Sequence, residues 1–166
     1  MKTLPMMSFG EAVKTCFKKY ATFSGRARRS EYWWFMLLNV ILGGCASYLF
    51  QWKMSVKAAV ESQIGEALFD QEKMDALMAQ AQACDDKFYP LLGLIGVLSL
   101  ILLLPSLAAC VRRLHDTARS GWIVLLNFIP IVNFVTGILT LIWTLQDSKP
   151  EDNRYGDSPK YVFVEE

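Results

Sequence analysis

Two segments of this 166-residue chain concentrate the residue types that can bind or transform a ligand. The first is Phe23-Ser24-Gly25-Arg26-Ala27-Arg28-Arg29-Ser30-Glu31-Tyr32-Trp33-Trp34-Phe35. The second is Val111-Arg112-Arg113-Leu114-His115-Asp116-Thr117-Ala118-Arg119-Ser120-Gly121-Trp122. Together they supply Arg26, Arg28, Arg29, Arg112, Arg113 and Arg119, against only Glu31 and Asp116 as acidic partners. Guanidinium forks bind phosphate and carboxylate bidentately, so the chemistry indicated is recognition of an anion, with lipid headgroups as the first candidate. Glu31, His115 and Asp116, with Asn153 and Arg154 from the C-terminal tail, form the supporting polar set. The competing reading gives these arginines only a topological role, with side chains snorkelling to headgroups. That role needs charge alone. It asks neither for arginine throughout nor for a histidine and an aspartate beside it.

His115 is the one histidine of the chain. With Asp116 it could relay protons or hold a metal, but one His and one Asp are too few for a metal site. Adjacent residues on a helix also do not face each other. A capped loop histidine that bonds backbone is the favoured reading. No nucleophile–base arrangement, phosphate-cradling glycine loop or buried acid pair is visible, so no catalytic residue, metal or cofactor is expected. Cys16, Cys45, Cys84 and Cys110 form no CxxC pair and suggest neither zinc nor a disulfide framework. The net charge of +1 gives no global polyanion signal, and no nucleic-acid partner is expected.

The elements that must position these residues follow from the apolar blocks. Tyr32 to Phe50, Pro90 to Val111 and Trp122 to Leu145 span 19, 22 and 24 residues without a charge. Each meets the roughly 20 residues needed to cross a hydrocarbon core, where backbone groups must bond internally and so form helices. Tyr32, Trp33, Trp34, Trp122 and Trp143 fit interfacial belts. Ser30 and Ser120 are expected as N-caps, and Pro90 as a first-turn residue of the second helix. Gly43, Gly44, Gly93 and Gly96 are expected at close helix contacts, and Asn39, Asn127 and Asn133 in interhelix hydrogen bonds. Absence of Asp, Glu, Lys and Arg within the blocks argues against a coupled transporter. The Leu42–Ser47 stretch loosely resembles a lipoprotein cleavage box at Cys45, but some 30 residues precede the apolar run, unlike a signal peptide.

The cations cluster before the first block and between the second and third, which places the N-terminus and second loop in the cytosol and the first loop outside. Three full spans would put the tail, 146–166, outside as well. The stretch Phe128-Ile129-Pro130-Ile131-Val132-Asn133 interrupts the third block. A kinked span is the expectation, and a re-entrant break that returns the tail to the cytosol is the alternative. Phe9, Val13, Cys16, Phe17 and Tyr20 form a stripe with Lys14, Lys18 and Lys19 off it, the pattern of a helix lying on the inner leaflet. Residues 51–89 are rich in Ala, Gln, Glu, Lys and Met and predict helix, with Gly65 and Asp70 its weakest points. The tail predicts irregular structure. The whole reads as one all-α membrane domain over 1–166: three transmembrane helices at about 32–50, 90–111 and 122–145, an N-terminal interfacial amphipathic helix and a helical extracytoplasmic loop.

The stretches FSGRARRSEYWWF, RRLHDTARSGW, IPIVN and NRYGDSP (Asn153 to Pro159) resemble, in content and in order, the DUF805 family of small bacterial inner-membrane proteins. The resemblance covers roughly 17–50 and 90–160. The first loop is longer than is usual there, and Asp157-Ser158-Pro159 stands where Gly-Pro-Asp-Pro is common. The resemblance implies a multi-pass location in the bacterial inner membrane and the fold above, and no established activity. The leading expectation is a non-enzymatic protein that binds anionic lipid, or a membrane-protein partner or second copy, through its cytosolic arginines. A small oligomeric transporter or channel is the alternative, and an enzyme acting on lipid headgroups the second alternative.

Overall fold

The computed structural model describes residues 2–162. In chain order the elements are β1 (Lys2–Thr3), α1 (Phe9–Lys18), α2 (Arg29–Ala67), α3 (Gln71–Asp116), α4 (Ile123–Leu126), α5 (Pro130–Leu145) and β2 (Tyr161–Val162). The fold divides into two compact units. One is Asn39–Leu100; the other combines the chain up to Leu38 with the chain from Ile101 onward.

Helix α1 opens on a capping box. The Glu11 N–H donates to the Ser8 hydroxyl at 3.4 Å, and the Ser8 N–H donates to the Glu11 carboxylate at 2.8 Å. Ala12 and Cys16 are buried, while Phe9 and Phe17 stay exposed at 41% each.

Helices α2 and α3 contain the first two charge-free blocks and run to 39 and 46 residues. At about 1.5 Å per residue these are about 58 and 69 Å long, well beyond a hydrocarbon core of about 30 Å. Residues 51–67 continue α2 and residues 71–89 open α3. The break falls at Leu68–Asp70, where the Asp70 carboxylate accepts from the Lys73 N–H at 3.2 Å and caps α3. Within the Asn39–Leu100 unit Val60, Ala67 and Leu77 form a small core with Val56, Met74 and Ala81. Lys53 bonds Asp85 at 2.9 Å.

Both prolines of α3 lie inside the helix, so Pro90 does not begin it as expected. Pro105 has no N–H for the carbonyl four residues back, and that carbonyl, of Ile101, accepts from the Tyr20 hydroxyl at 2.7 Å. The chain that leaves α1 is thereby fastened to α3. Helix α3 ends in a Schellman arrangement. The Ala118 N–H donates to the His115 carbonyl at 3.0 Å and the Arg119 N–H to the Leu114 carbonyl at 2.9 Å. Ala118 takes φ 60° at the position that usually holds glycine.

The third apolar block, expected as a kinked span with a re-entrant break as the alternative, is interrupted ahead of Pro130. It is divided into the single turn of α4 and the 16 residues of α5. Pro130 sits at the start of α5, where its missing N–H costs nothing, and it pushes Ile129 into extended backbone at φ −91°, ψ 113°. Thr136, Thr140 and Thr144 form the buried stripe of α5, and Thr136 donates to the Asn127 side chain across the break. The expected serine caps are not used. Ser30 lies inside α2 and accepts from the Met7 N–H at 3.4 Å, while α4 and α5 have Trp122 and Ile129 as N-cap residues, without a side-chain cap.

The block also begins and ends beside the same turns of α3. A Cβ on Gly121 would lie 2.5 Å from the Val111 side chain and 3.0 Å from His115 Nε2, and the carbonyls of Thr144 and Gln146 accept from Arg113. Gly121 is thus a glycine required by close approach. Gly43, Gly44, Gly93 and Gly96 are not, since a Cβ there would meet nothing within 4 Å.

The tail carries more order than its composition predicted. β2 pairs antiparallel with β1, matching Lys2 to Val162 and Thr3 to Tyr161, and Asn153 bridges Gly156 in a tight turn. The last four residues of the expected irregular tail, 163–166, lie outside the described residues.

Candidate functional site

The residues singled out from sequence lie in the unit that combines the chain up to Leu38 with the chain from Ile101 onward, and Arg26, Arg28, Glu31, Arg112, Arg113 and Asp116 turn their charges inward. Helical spacing puts Arg113 and Asp116 on one face at the end of α3, where they pair with both side chains fully buried. Asp116 also accepts from Arg26 Nε at 3.0 Å. Arg26 reaches on to the tail. Its Nη1 donates to the carbonyls of Glu151 at 2.8 Å and Gly156 at 3.2 Å, and its Nη2 to that of Lys149 at 2.6 Å. Arg113 donates to the carbonyls of Ala27, Thr144 and Gln146. Two guanidiniums and one carboxylate therefore join the 23–28 loop, the end of α3, the end of α5 and the tail. Backbone carbonyls absorb the surplus positive charge, as burial of a guanidinium requires.

Arg112 and Glu31 make a second buried pair at 3.1 Å. Here the contact is Coulombic: among the described residues no nitrogen of the Arg112 guanidinium has an aligned hydrogen bond, and neither does Glu31 Oε1. Burial pushes the Glu31 carboxyl up, and Arg112 opposes it. Arg28 donates to the Leu4 carbonyl at 3.0 Å.

Arg29, Arg119 and Arg154 remain exposed. Arg29 bonds the Leu145 carbonyl and Asp147 at the surface, Arg119 lies 5.0 Å from the Trp143 ring and Arg154 lies 4.7 Å from the Tyr155 ring.

His115 is held on three sides. Its Nδ1 donates to the Gly25 carbonyl at 3.2 Å, its ring stacks on Tyr155 at 3.7 Å and 3°, and its carbonyl accepts from the Asn153 amide at 2.9 Å. Gly25 takes φ 85°, a left-handed turn that suits glycine and turns that carbonyl to the ring. Burial lowers the His115 pKa, and the nearby Arg154 adds to this. With Nδ1 donating, the neutral ring keeps its lone pair on Nε2. His115 and Asp116 point to different partners and form no relay. Beside them opens a cavity of about 770 Å³ between α3, α4 and the tail turn.

This arrangement combines a buried Arg–Asp hub, a stacked His–Tyr pair and a split apolar segment. The model of DUF805, described as a protein of unknown function, matches residues 20–157, which takes in every part of it. The chain belongs to the DUF805 family. It is 33% identical over 144 residues to the inner membrane protein YhaI of Escherichia coli K12, covering 87% of this chain and 91% of that one. It is 30% identical over 143 residues to YhaH of the same strain, covering 86% and 91%. No solved structure matches it.

In this DUF805 chain three of the four family-like stretches meet in space. FSGRARRSEYWWF and RRLHDTARSGW share the two ion pairs, and NRYGDSP closes over Arg26 and His115. Three participants escaped the sequence reading. Gly25 and Tyr155 lay within the recognised stretches, and their roles required φ and stacking geometry. Thr144 acts through its backbone carbonyl, which accepts from Arg113 and from the Trp33 indole N–H at 3.2 Å, and a carbonyl has no signature in sequence.

Proposed function

We propose that this DUF805 chain is a two-span inner-membrane protein with a re-entrant third segment, and that its cytosolic face binds anionic phospholipid headgroups. One observation carries the reading. The buried arginines spend their charge on Asp116, Glu31 and carbonyls, while Arg29, Arg119 and Arg154 stay outward. Lys14 and Lys18 on α1 add exposed cations next to an apolar stripe. The positive-inside rule assigns the N-terminus and the α3–α4 connection to the cytosol, with the α2–α3 turn outside. The contacts of the tail with Arg26 and His115 favour a cytosolic tail. Helix α5, about 24 Å long, is short for a full crossing of about 30 Å. The channel alternative draws no support from Asn127, whose side chain is engaged by Thr136.

Juxtamembrane cations contribute about 1 kcal/mol each to anionic-lipid association. Polymer extraction of the protein with its lipid annulus, followed by lipid counting, is expected to show phosphatidylglycerol enriched over phosphatidylethanolamine. Replacing Arg29 and Arg119 by Gln together should cut that enrichment by about tenfold. Unchanged enrichment in a stably folded double variant would overturn the reading.

A further inference from the structure

We infer that the cavity beside the end of α3 is a socket for one acyl chain of an anionic phospholipid from the surrounding bilayer, with the lipid phosphate seated on Arg154. The inference rests on the membrane reading above and deepens it by giving one lipid a defined seat.

The volume, about 770 Å³, lies within the range of about 300–1,000 Å³ typical of small-molecule sites. The walls are apolar: Leu107 and Val111 from α3, Val124 and Leu125 from α4, and Phe128 from the break. These residues belong to the two blocks whose composition suits hydrocarbon. The outer edge is open, with Trp122 exposed at 77%, Phe128 at 67% and Leu125 at 53%. An apolar hollow open on an apolar surface is filled from lipid more readily than from water.

The mouth supplies the polarity for the other end of the ligand. Arg154 and Tyr155 line it beside His115, and among the described residues no carboxylate lines it. Among the described residues no carboxylate pairs with Arg154, whose guanidinium lies over the Tyr155 ring. Arg26 and Arg113 already hold buried partners, so Arg154 is the cation at this mouth left for a phosphate. His115 donates from Nδ1 to Gly25, which leaves the cavity wall uncharged when the ring is neutral. A cation at the rim of an apolar slot that opens on an apolar surface is complementary to an anionic amphiphile. The close approach of Gly121 to Val111 and His115 holds α4 beside α3, where it walls the cavity.

The test is photo-crosslinking in nanodiscs with the full chain. The probe is phosphatidylglycerol carrying a diazirine midway along one acyl chain, with the matching phosphatidylcholine as control. The label should concentrate on peptides bearing Leu107–Val111 and Val124–Phe128. Leu125→Trp, at a half-exposed wall position, should reduce that label about tenfold by filling the slot. Arg154→Gln, at the surface, should reduce the phosphatidylglycerol label to the phosphatidylcholine level, also about tenfold, as expected for loss of a charge-assisted bond.

Label spread evenly over the exposed helices, or equal for both lipids, or indifferent to both variants, would overturn the inference. A dimer in native mass spectrometry that Leu125→Trp dissolves without changing the lipid label would assign the cavity to a second copy and overturn it equally. The Arg29/Arg119 double variant separates this inference from the wider reading. If that variant loses phosphatidylglycerol enrichment while the cavity label ignores Leu125 and Arg154, headgroup binding stands and the socket falls. If enrichment persists but the label tracks Leu125 and Arg154, the socket stands without the wider layer.

Discussion

The two units of this chain use charge in opposite ways. In the unit holding both ends of the chain, Arg26, Arg112, Arg113, Glu31 and Asp116 are buried and bonded across segments far apart in sequence. In the Asn39–Leu100 unit the pairs are open to solvent: Lys57–Glu61 at 3.6 Å is local, with side chains 61% and 60% exposed, and Lys53–Asp85, which joins the two helices, has side chains 22% and 48% exposed. A buried pair couples the segments it joins, because breaking it strands a charge without water. An exposed pair contributes almost nothing and can drift. The hub is therefore where the fold is specified, and the helical hairpin of 39–100 is held by its helix propensity and a small apolar core.

The largest effect should come from Asp116→Asn. It strands Arg26 and Arg113 together, and thermal unfolding in detergent should report a loss of about 3–5 kcal/mol. A loss under about 1 kcal/mol would remove the contrast between the units. Gly121→Ala sharpens it at a position without charge. The added methyl meets Val111 at 2.5 Å, and overpacking should cost about 1–3 kcal/mol in the same assay. Tyr20→Phe removes the donor to the carbonyl freed by Pro105 and should cost about 1 kcal/mol, with faster hydrogen exchange around Ile101 and Pro105. Lys57→Ala in the other unit should change stability by less than about 0.5 kcal/mol. If it matched Asp116→Asn, the distinction between the two regions would be lost.

What sequence made legible follows the same division. Long apolar runs without charge state their own requirement for helix and lipid, so the two long helices could be read directly, while the family came from the resemblance of the motif stretches. The helix-forming residues of 51–89 gave no reason to stop either helix before the Leu68–Asp70 turn. Pro130 announced a break but not its consequence. Whether a proline kinks or divides a helix depends on what the residues around it bond, here Thr136 with Asn127 and Arg113 with the end of α5. The candidate arginines were found by type and position, yet their inward use was hidden. Charge in a sequence looks the same whether it faces lipid headgroups or a backbone carbonyl, and most of the acceptors for Arg26 and Arg113 are carbonyls. The Arg26–Asp116 bond also closes a separation of 90 residues, which no local pattern reveals.

The central claim is that the tail turn Asn153–Gly156 and the Arg112–Asp116 segment share one face of the membrane. Cysteine accessibility in sealed cells tests it most directly. Single cysteines would be placed at Asp157, Ala118 and Ala83, all exposed positions, in a background without native cysteines. The account predicts that Ala83→Cys labels from outside while Asp157→Cys and Ala118→Cys are both protected until the membrane is opened. Labelling of Asp157→Cys from outside, with Ala118→Cys still protected, would mean a third full crossing and would contradict the shared site.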